Sequence, residues 1–479
     1  MASTSISSLP LFARLWSALF VILFPVLGLL GVFMRLFQSE MLPDIEPSWF
    51  YAAMTLHGLG LVGLVYATSF ALLITRLSQY VAFRPSMLYV STGLTGIGVI
   101  LLVVLFLVRF GPGWYFLYPL PFKSAGVWPE WAPHVFLVAL TVLGVAWLLW
   151  KLETLRAMAK SFKFSTMLGW HVLAGKAEPS VPPAVLVATI CCIAGIIALS
   201  AAVVMLVFFY YTLLTGNAAD ALLVKNLTFF FGHVLINLAM YQGIGVLYDV
   251  FPTYTRHQWP MTKPMAIAWN LVLLLVLFAY FHHLYMDFAQ PVAVQIIGQA
   301  ASYGTAIPAA VVTILGTLAH VYRRRVEWNW SSLLLFFGTM GWAVGGTAAV
   351  IDSTVAANFR FHNTLWVPAH FHTYLLAGIV LIILGGIAHF VSRAREYTLR
   401  PARLPISLLL IGAYGFVTMF YIGGLTSVPR RYAIYPIEVA HGSTLAQVAL
   451  VFVALIMVGV AVYLWDVGRL LFLPSKRSS

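Results

Sequence analysis

Cysteine is nearly absent: the 479 residues contain two, Cys191 and Cys192, adjacent inside an apolar run. No CxxC or CxxCH spacing exists, which excludes a thiolate metal centre, a disulfide framework and a c-type haem attachment. Both are expected to be buried thiols, facing the membrane or the core. Charge is equally scarce. Only 9% of residues are Asp, Glu, Lys or Arg, against about a quarter in a soluble globular domain. Acidic residues number 14. No linker, low-complexity tract or internal repeat interrupts the chain. The first apolar stretch runs on through Pro25 to Phe37, with no small-residue cleavage site after a short apolar core, so it does not read as a cleavable signal.

What is present is hydrophobic length. Sixty-two per cent of the residues are hydrophobic. Twelve runs reach the roughly twenty residues needed to cross the bilayer core. They lie near 13–37, 52–76, 88–110, 133–154, 183–214, 222–250, 264–288, 294–322, 332–352, 363–391, 404–427 and 444–473. This predicts an all-α integral membrane bundle of about twelve helices, a single domain over 1–479, multi-pass in the cell (inner) membrane. The net charge of +13 does not call for nucleic acid. With both termini cytoplasmic, most cations fall in the inner loops and in the Lys476/Arg477 tail, while the outer loop holding Glu40, Asp44 and Glu46 is acidic. That is the positive-inside pattern, with lipid as the surrounding partner. The Gly/Pro/aromatic loop at 111–132 is expected on the outer side, where it could cover a buried cofactor.

Histidine carries the chemistry. The stretch HNTLWVPAHFH at 362–372 places His370 and His372 two residues apart. Two steps along a helix rotate by about 200°, so their rings point to opposite sides. The assigned topology puts His57, His233, His282, His283, His370 and His372 in the outer half of the bilayer. Intramembrane imidazoles are costly and functional by default, and six at one depth are a constellation. His233 with His282 and His283 makes a three-imidazole set suited to copper, zinc or non-haem iron. Consecutive histidines diverge by about 100°, so both reach one ion only near a helix end. His57, His370 and His372 supply three axial ligands: one bis-His low-spin haem and one five-coordinate high-spin haem.

With FFGH at 230–233, HHLYMD at 282–287 and VPRR at 428–431, the chain resembles the catalytic subunit I of the haem–copper oxidase superfamily, most closely its B branch, over essentially its whole length. The resemblance implies His57 and His372 on the low-spin haem, His370 proximal to the high-spin haem, and His233, His282 and His283 on CuB. His362, Arg430 and Arg431 match positions that contact haem propionates. It also implies a subunit II with a CuA-type or cytochrome c domain, fed by a periplasmic donor such as cytochrome c or a cupredoxin.

One departure bears on the substrate. Oxygen-reducing members have a tyrosine four residues after the first copper histidine; here the position is Asn237. Members that reduce NO lack that tyrosine. Ile244, Ala309 and Val312 stand where hydroxyl groups of a proton path are usual, although Tyr248 remains. No Glu in the sixth or seventh run offers itself as a ligand to non-haem iron, which favours CuB. The reading is a membrane reductase of a diatomic gas, NO preferred, with Asn237 and Gln242 offering hydrogen bonds and Tyr248 and Asp249 as proton carriers. The alternative is an O2 reductase with a displaced phenol, Tyr241 or Tyr285. From Tyr241, two turns along from His233, the phenol is not expected to reach the His233 ring. A proton or ion transporter is the remote alternative. It would place polar groups along a through path and show no haem absorption.

Overall fold

A computed structural model describes residues 9–176, 181–395, 397–400 and 402–473; the Lys476/Arg477 tail lies outside them. The expected architecture holds. Among the described residues twelve helices are long and apolar enough to cross a membrane, and no strand forms beyond one isolated bridge, Thr364 to Pro429. The helices are α1 (Leu9–Gln38), α2 (Pro47–Leu77), α3 (Pro85–Leu107), α4 (Ala132–Ser161), α5 (Pro183–Thr215), α6 (Ala221–Val250), α7 (Lys263–Ala279), α8 (Ala293–Val321), α9 (Trp330–Ser353), α10 (Trp366–Arg395), α11 (Arg403–Leu425) and α12 (His441–Asp466). Backbone groups in a bilayer must be satisfied within the segment, which is why apolar runs of this length become helices. Starts are punctuated chemically. Pro stands in the first turn of α2, α3, α4, α5 and α7, where a missing N–H is harmless. Asp220 caps α6 by accepting from Leu223 N, and Asn329 with Ser332 forms a capping box on α9.

Neighbours in sequence pack as neighbours in space, and α12 returns to α1, so the helices close a ring. Three of them, α2, α6 and α10, also contact one another. These inner helices carry His57, His233, and both His370 and His372. α10 is buried along most of its length because it has protein on every side. Its cylinder is not regular: Leu375–Ile379 is a π turn immediately after the two histidines, the kind of one-turn insertion found at functional sites.

Small residues bring α9 and α10 together. Gly338, Gly341 and Gly345 lie on one face of α9, and the backbone of α10 runs against them. A Cβ on Gly345 would stand 2.9 Å from Tyr374 N, and one on Gly338 2.8 Å from Gly378 O. Lipid offers no hydrophobic drive for helix pairing, so close backbone approach over small residues must supply it. Gly345→Val should force α10 away by a side chain's width. The expected result is loss of bound haem and a lower melting temperature, read by absorbance and thermal denaturation, with Gly345→Ala milder.

The tenth helix starts later than the apolar run suggests, at Trp366 rather than 363. Residues 362–365 are taken by the bridge. Leu365 N donates to Val428 O at 2.9 Å and Arg430 N to Asn363 O at 2.9 Å. This pairing clamps the VPRR loop onto the HNTL loop at the outer end of the bundle. Arg431 holds φ +72°, a left-handed conformation costing a non-glycine residue on the order of 1–3 kcal/mol. Its guanidinium carbon sits 3.6 Å from the centre of the Tyr115 ring.

Candidate metal and cofactor site

His57 on α2 and His372 on α10 face each other. Their ring centres are 6.4 Å apart with planes 23° apart. Two metal–nitrogen bonds of about 2 Å, plus about 1 Å from each ring centre to its nitrogen, give about 6 Å, so the gap fits one metal ion between them. The tautomers suit it. His57 Nδ1 lies 2.9 Å from Leu27 O and His372 Nδ1 lies 2.7 Å from Pro368 O. A carbonyl can only accept, so each Nδ1 carries the proton and each Nε2 is left as a lone-pair donor. Gly31 on α1 leaves the space: a Cβ there would stand 2.8 Å from His57 Cε1. Phe420 stacks on His372 at 5.3 Å.

His233 on α6 meets His282 and His283 where α7 ends. The residues after Ala279 tighten into a 3-10 turn, Tyr280–Leu284, so the adjacent pair sits at a helix end as its spacing requires. Ring centres are 4.9 Å apart for His233 and His282, 5.3 Å for His233 and His283, and 4.1 Å for the pair. One ligand nitrogen from each lies within 4.8 Å of the others. Ligands of a single ion can be at most about 4 Å apart, so small ring movements close the set. His282 Nδ1 lies 3.0 Å from Ser302 Oγ, and Phe229 stacks on His283 at 5.3 Å.

His370 projects from the opposite side of α10 to His372, as the 200° rotation requires. All six histidines line one cavity of about 610 Å3, a size that holds large organic ligands. Trp114, Tyr115 and Phe116 of the 111–132 loop reach its wall, and Trp114 stacks on Phe371 at 5.7 Å.

Arg430 and Arg431 also line the cavity; His362 does not. His362 lies in the same outer layer, where burial first, and then the charges of Arg430, Lys225 and Arg431, push its pKa down to about 4. Burial, then the neighbouring charge of Arg431, lowers Arg430 to about 9, with Asp352 pulling the other way. Arg430 Nε is buried without a partner. Two adjacent, partly buried guanidiniums lining the cavity, one with an unpartnered Nε, suit an anion. A macrocycle bearing carboxylates fits that demand, and the histidine pairs fit its iron.

Around Asn237 the outcome is mixed. Its Nδ2 donates to His233 O at 2.8 Å and lies 3.3 Å from both nitrogens of the His233 ring. Tyr241 comes closer than a two-turn separation suggests. It lines the cavity, and its hydroxyl donates to Asn237 Oδ1 at 3.4 Å. The amide therefore stands between phenol and imidazole. Gln242 is not at the site: it faces α2, accepting from Ser69 Oγ at 3.0 Å. Tyr285 is turned away and donates to Ser353 O at 3.1 Å. Asp249 is tied to Arg76 at 2.5 Å and to Tyr80 Oη at 2.6 Å, which leaves it a poor free proton carrier. Tyr248 finds a hydroxyl partner beside the altered positions: Thr313, not residue 312, lies 2.6 Å from its Oη.

Three residues at the site escape the sequence reading. Arg35 and Gln38 of α1 line the cavity. Arg35 is one of two cations in that span, with Arg14 near the other end, and its charge was the available signal. Asp352 approaches His370 Nδ1 at 3.4 Å; nothing in its local sequence links it to a residue eighteen positions on. Cys191 and Cys192 are buried and free, as expected.

Comparison with known proteins adds the lineage. The family described as "Cytochrome C and Quinol oxidase polypeptide I" matches residues 12–464. A cytochrome c oxidase subunit 1 of Synechocystis is 24% identical over 427 residues, 85% of this chain and 75% of that protein. A haem–copper oxidase subunit I+III of Aeropyrum pernix is 24% identical over 46% of this chain and 27% of its own length. The subunit 1 of Bacillus subtilis is 26% identical over 44% and 34%. The chain thus aligns with only about a third of the length of these last two relatives. A solved haem–copper terminal oxidase dimer superposes on 99% of this chain and 86% of its own, with a TM-score of 0.76 and 17% identity, a likeness of fold alone. With twelve spans, six convergent histidines and a family match from the first span to the last, this chain belongs to the cytochrome c and quinol oxidase polypeptide I family, the subunit I proteins of the haem–copper oxidases.

Proposed function

We propose that the chain is a catalytic subunit that reduces nitric oxide: two NO, two electrons and two protons give N2O and water. Proteins of this family carry haems and CuB. Here His57 and His372 would hold a low-spin haem, His370 a high-spin haem, and His233, His282 and His283 copper, the whole chain forming one transmembrane domain. Together these groups would supply electron transfer and a pair of metals for a diatomic ligand. The chain's own residues do the rest. Arg430 and Arg431 would neutralise propionates that would otherwise be buried charges, with His362 in the same outer layer. Asn237 offers an amide beside the copper ligand, able to donate a hydrogen bond but unable to give up an electron. Tyr248 and Thr313 hold hydroxyls within the inner half of α6 and α8 for proton supply. No CxxCH and no thiolate ligand set occur in the sequence, so electrons enter from a partner, a subunit II with a CuA or cytochrome c domain.

Asn237 in the turn after His233 is the observation that carries the substrate assignment. A two-electron reduction needs no oxidisable side chain in the turn after the first copper ligand, and Asn237 supplies none. The test is steady-state turnover of the purified complex with each gas. One N2O per two NO is expected, with slower O2 consumption, and Asn237→Tyr should lower NO turnover by tenfold or more. Rapid O2 uptake with negligible NO consumption would overturn the reading.

A second reading, O2 reduction, is favoured by Tyr241, whose phenol reaches Asn237. Under that reading Tyr241→Phe abolishes O2 uptake.

A further inference from the structure

The last turn of α9 ends in a buried carboxylate. Asp352 is 2% exposed. A negative side chain at a helix C-terminus meets the negative end of the macrodipole, and a buried carboxylate is costly unless hydrogen-bonded. Its ion-pair partner among the described residues is a histidine: Asp352 Oδ2 lies 3.4 Å from His370 Nδ1. Both groups are incomplete. Asp352 Oδ1 and His370 Nδ1 are each buried with no hydrogen-bond partner. Asp352 does not line the cavity, whereas His370 does, so the carboxylate stands behind the imidazole. The segment is held in place. Asn358 Nδ2 donates to Asp352 O at 2.8 Å and to His282 O at 3.2 Å, and Tyr285 Oη donates to Ser353 O.

The contrast within the site is informative. His57 and His372 each give Nδ1–H to a neutral backbone carbonyl, at 2.9 and 2.7 Å. His370, two residues from His372 on the same helix, faces a carboxylate instead. A carboxylate behind a ligating imidazole fixes its tautomer and raises its basicity, and hydrogen bonding behind an axial ligand is one of the levers on a haem potential.

We propose that Asp352 is a positioning residue for His370, accepting its Nδ1–H so that the proximal ligand of the high-spin haem is more anionic, and that iron harder to reduce, than a carbonyl partner would make it. This rests on the assignment of His370 to the high-spin haem. The test is Asp352→Asn in the purified complex, with the low-spin haem as internal reference. The iron–histidine stretching band of the reduced high-spin haem should move to lower frequency and its midpoint potential should rise, while the low-spin bands and potential stay put. Asp352→Glu, which keeps the carboxylate, should return both part of the way. If Asp352→Asn does not retain haem, Asp352→Glu alone decides: a shift confined to the high-spin centre supports the role and no shift overturns it. Unchanged band and potential in Asp352→Asn, or equal changes at both haems, also overturn it. A wild-type protein with no histidine-ligated high-spin haem would instead sink the functional assignment above, and this inference with it.

Discussion

His233→Ala is expected to abolish gas turnover, with activity falling by more than a hundredfold and copper lost from the purified protein. Loss of a group that merely orients a ligand costs about 10–100-fold, and His233 is proposed as a ligand itself. It is also the member of the trio that comes from a different helix. His282 and His283 share a 3-10 turn at the end of α7, while His233 reaches them from α6, with ring centres 4.9 and 5.3 Å away. Without it two adjacent imidazoles remain, too few for the trigonal set. The two haems should stay, because His57 and His372 keep their own carbonyl partners and His370 keeps its approach to Asp352. Metal analysis, absorbance and NO consumption on one preparation check this. Copper retained at wild-type stoichiometry with full turnover would rule out the three-histidine centre.

His372→Ala should remove the low-spin haem and leave the high-spin one. Haem content should fall from two per chain to one, and donor-driven turnover below about one-hundredth of wild type, since a lost ligand exceeds the effect of a lost supporting contact. The reason is geometric. His57 and His372 face each other across 6.4 Å, each with Nδ1 fixed on a carbonyl, so removing one leaves half a site. His370 projects to the other side of α10 and keeps its own surroundings. The spectrum distinguishes the cases: the bis-histidine bands vanish while carbon monoxide still binds the reduced protein. A variant that keeps both haems would contradict the pairing. His57→Ala provides the matching control from α2.

Much of this was legible in the residues because helical spacing is a local rule. Apolar runs of about twenty residues marked the twelve helices, and two residues of separation were enough to send His370 and His372 to opposite sides. Depth, counted along runs of known direction, gathered His57, His233, His282 and His283 to one level. The approach of VPRR to HNTL was not legible, since it depends on a backbone pairing between loops more than sixty residues apart. Gln242 illustrates the same limit. It is expected to offer a hydrogen bond at the metals, but its position on α6 turns it to Ser69 on α2. Tyr241, one turn beyond Asn237, is aligned with it and enters the cavity.

By itself, then, the sequence determined the spans and the gathering of six histidines at one depth, because both follow from composition and from counting along helices, while Asn237 stands out only through the resemblance to oxygen-reducing relatives. Only the tertiary structure decided which groups stand behind those ligands. Leu27, Pro368, Ser302 and Asp352 reach the histidines through packing between elements or through the return of a helix turn. Of these, only the Asp352 carboxylate brings a charge to the back of an imidazole, by an approach that no spacing along the chain encodes.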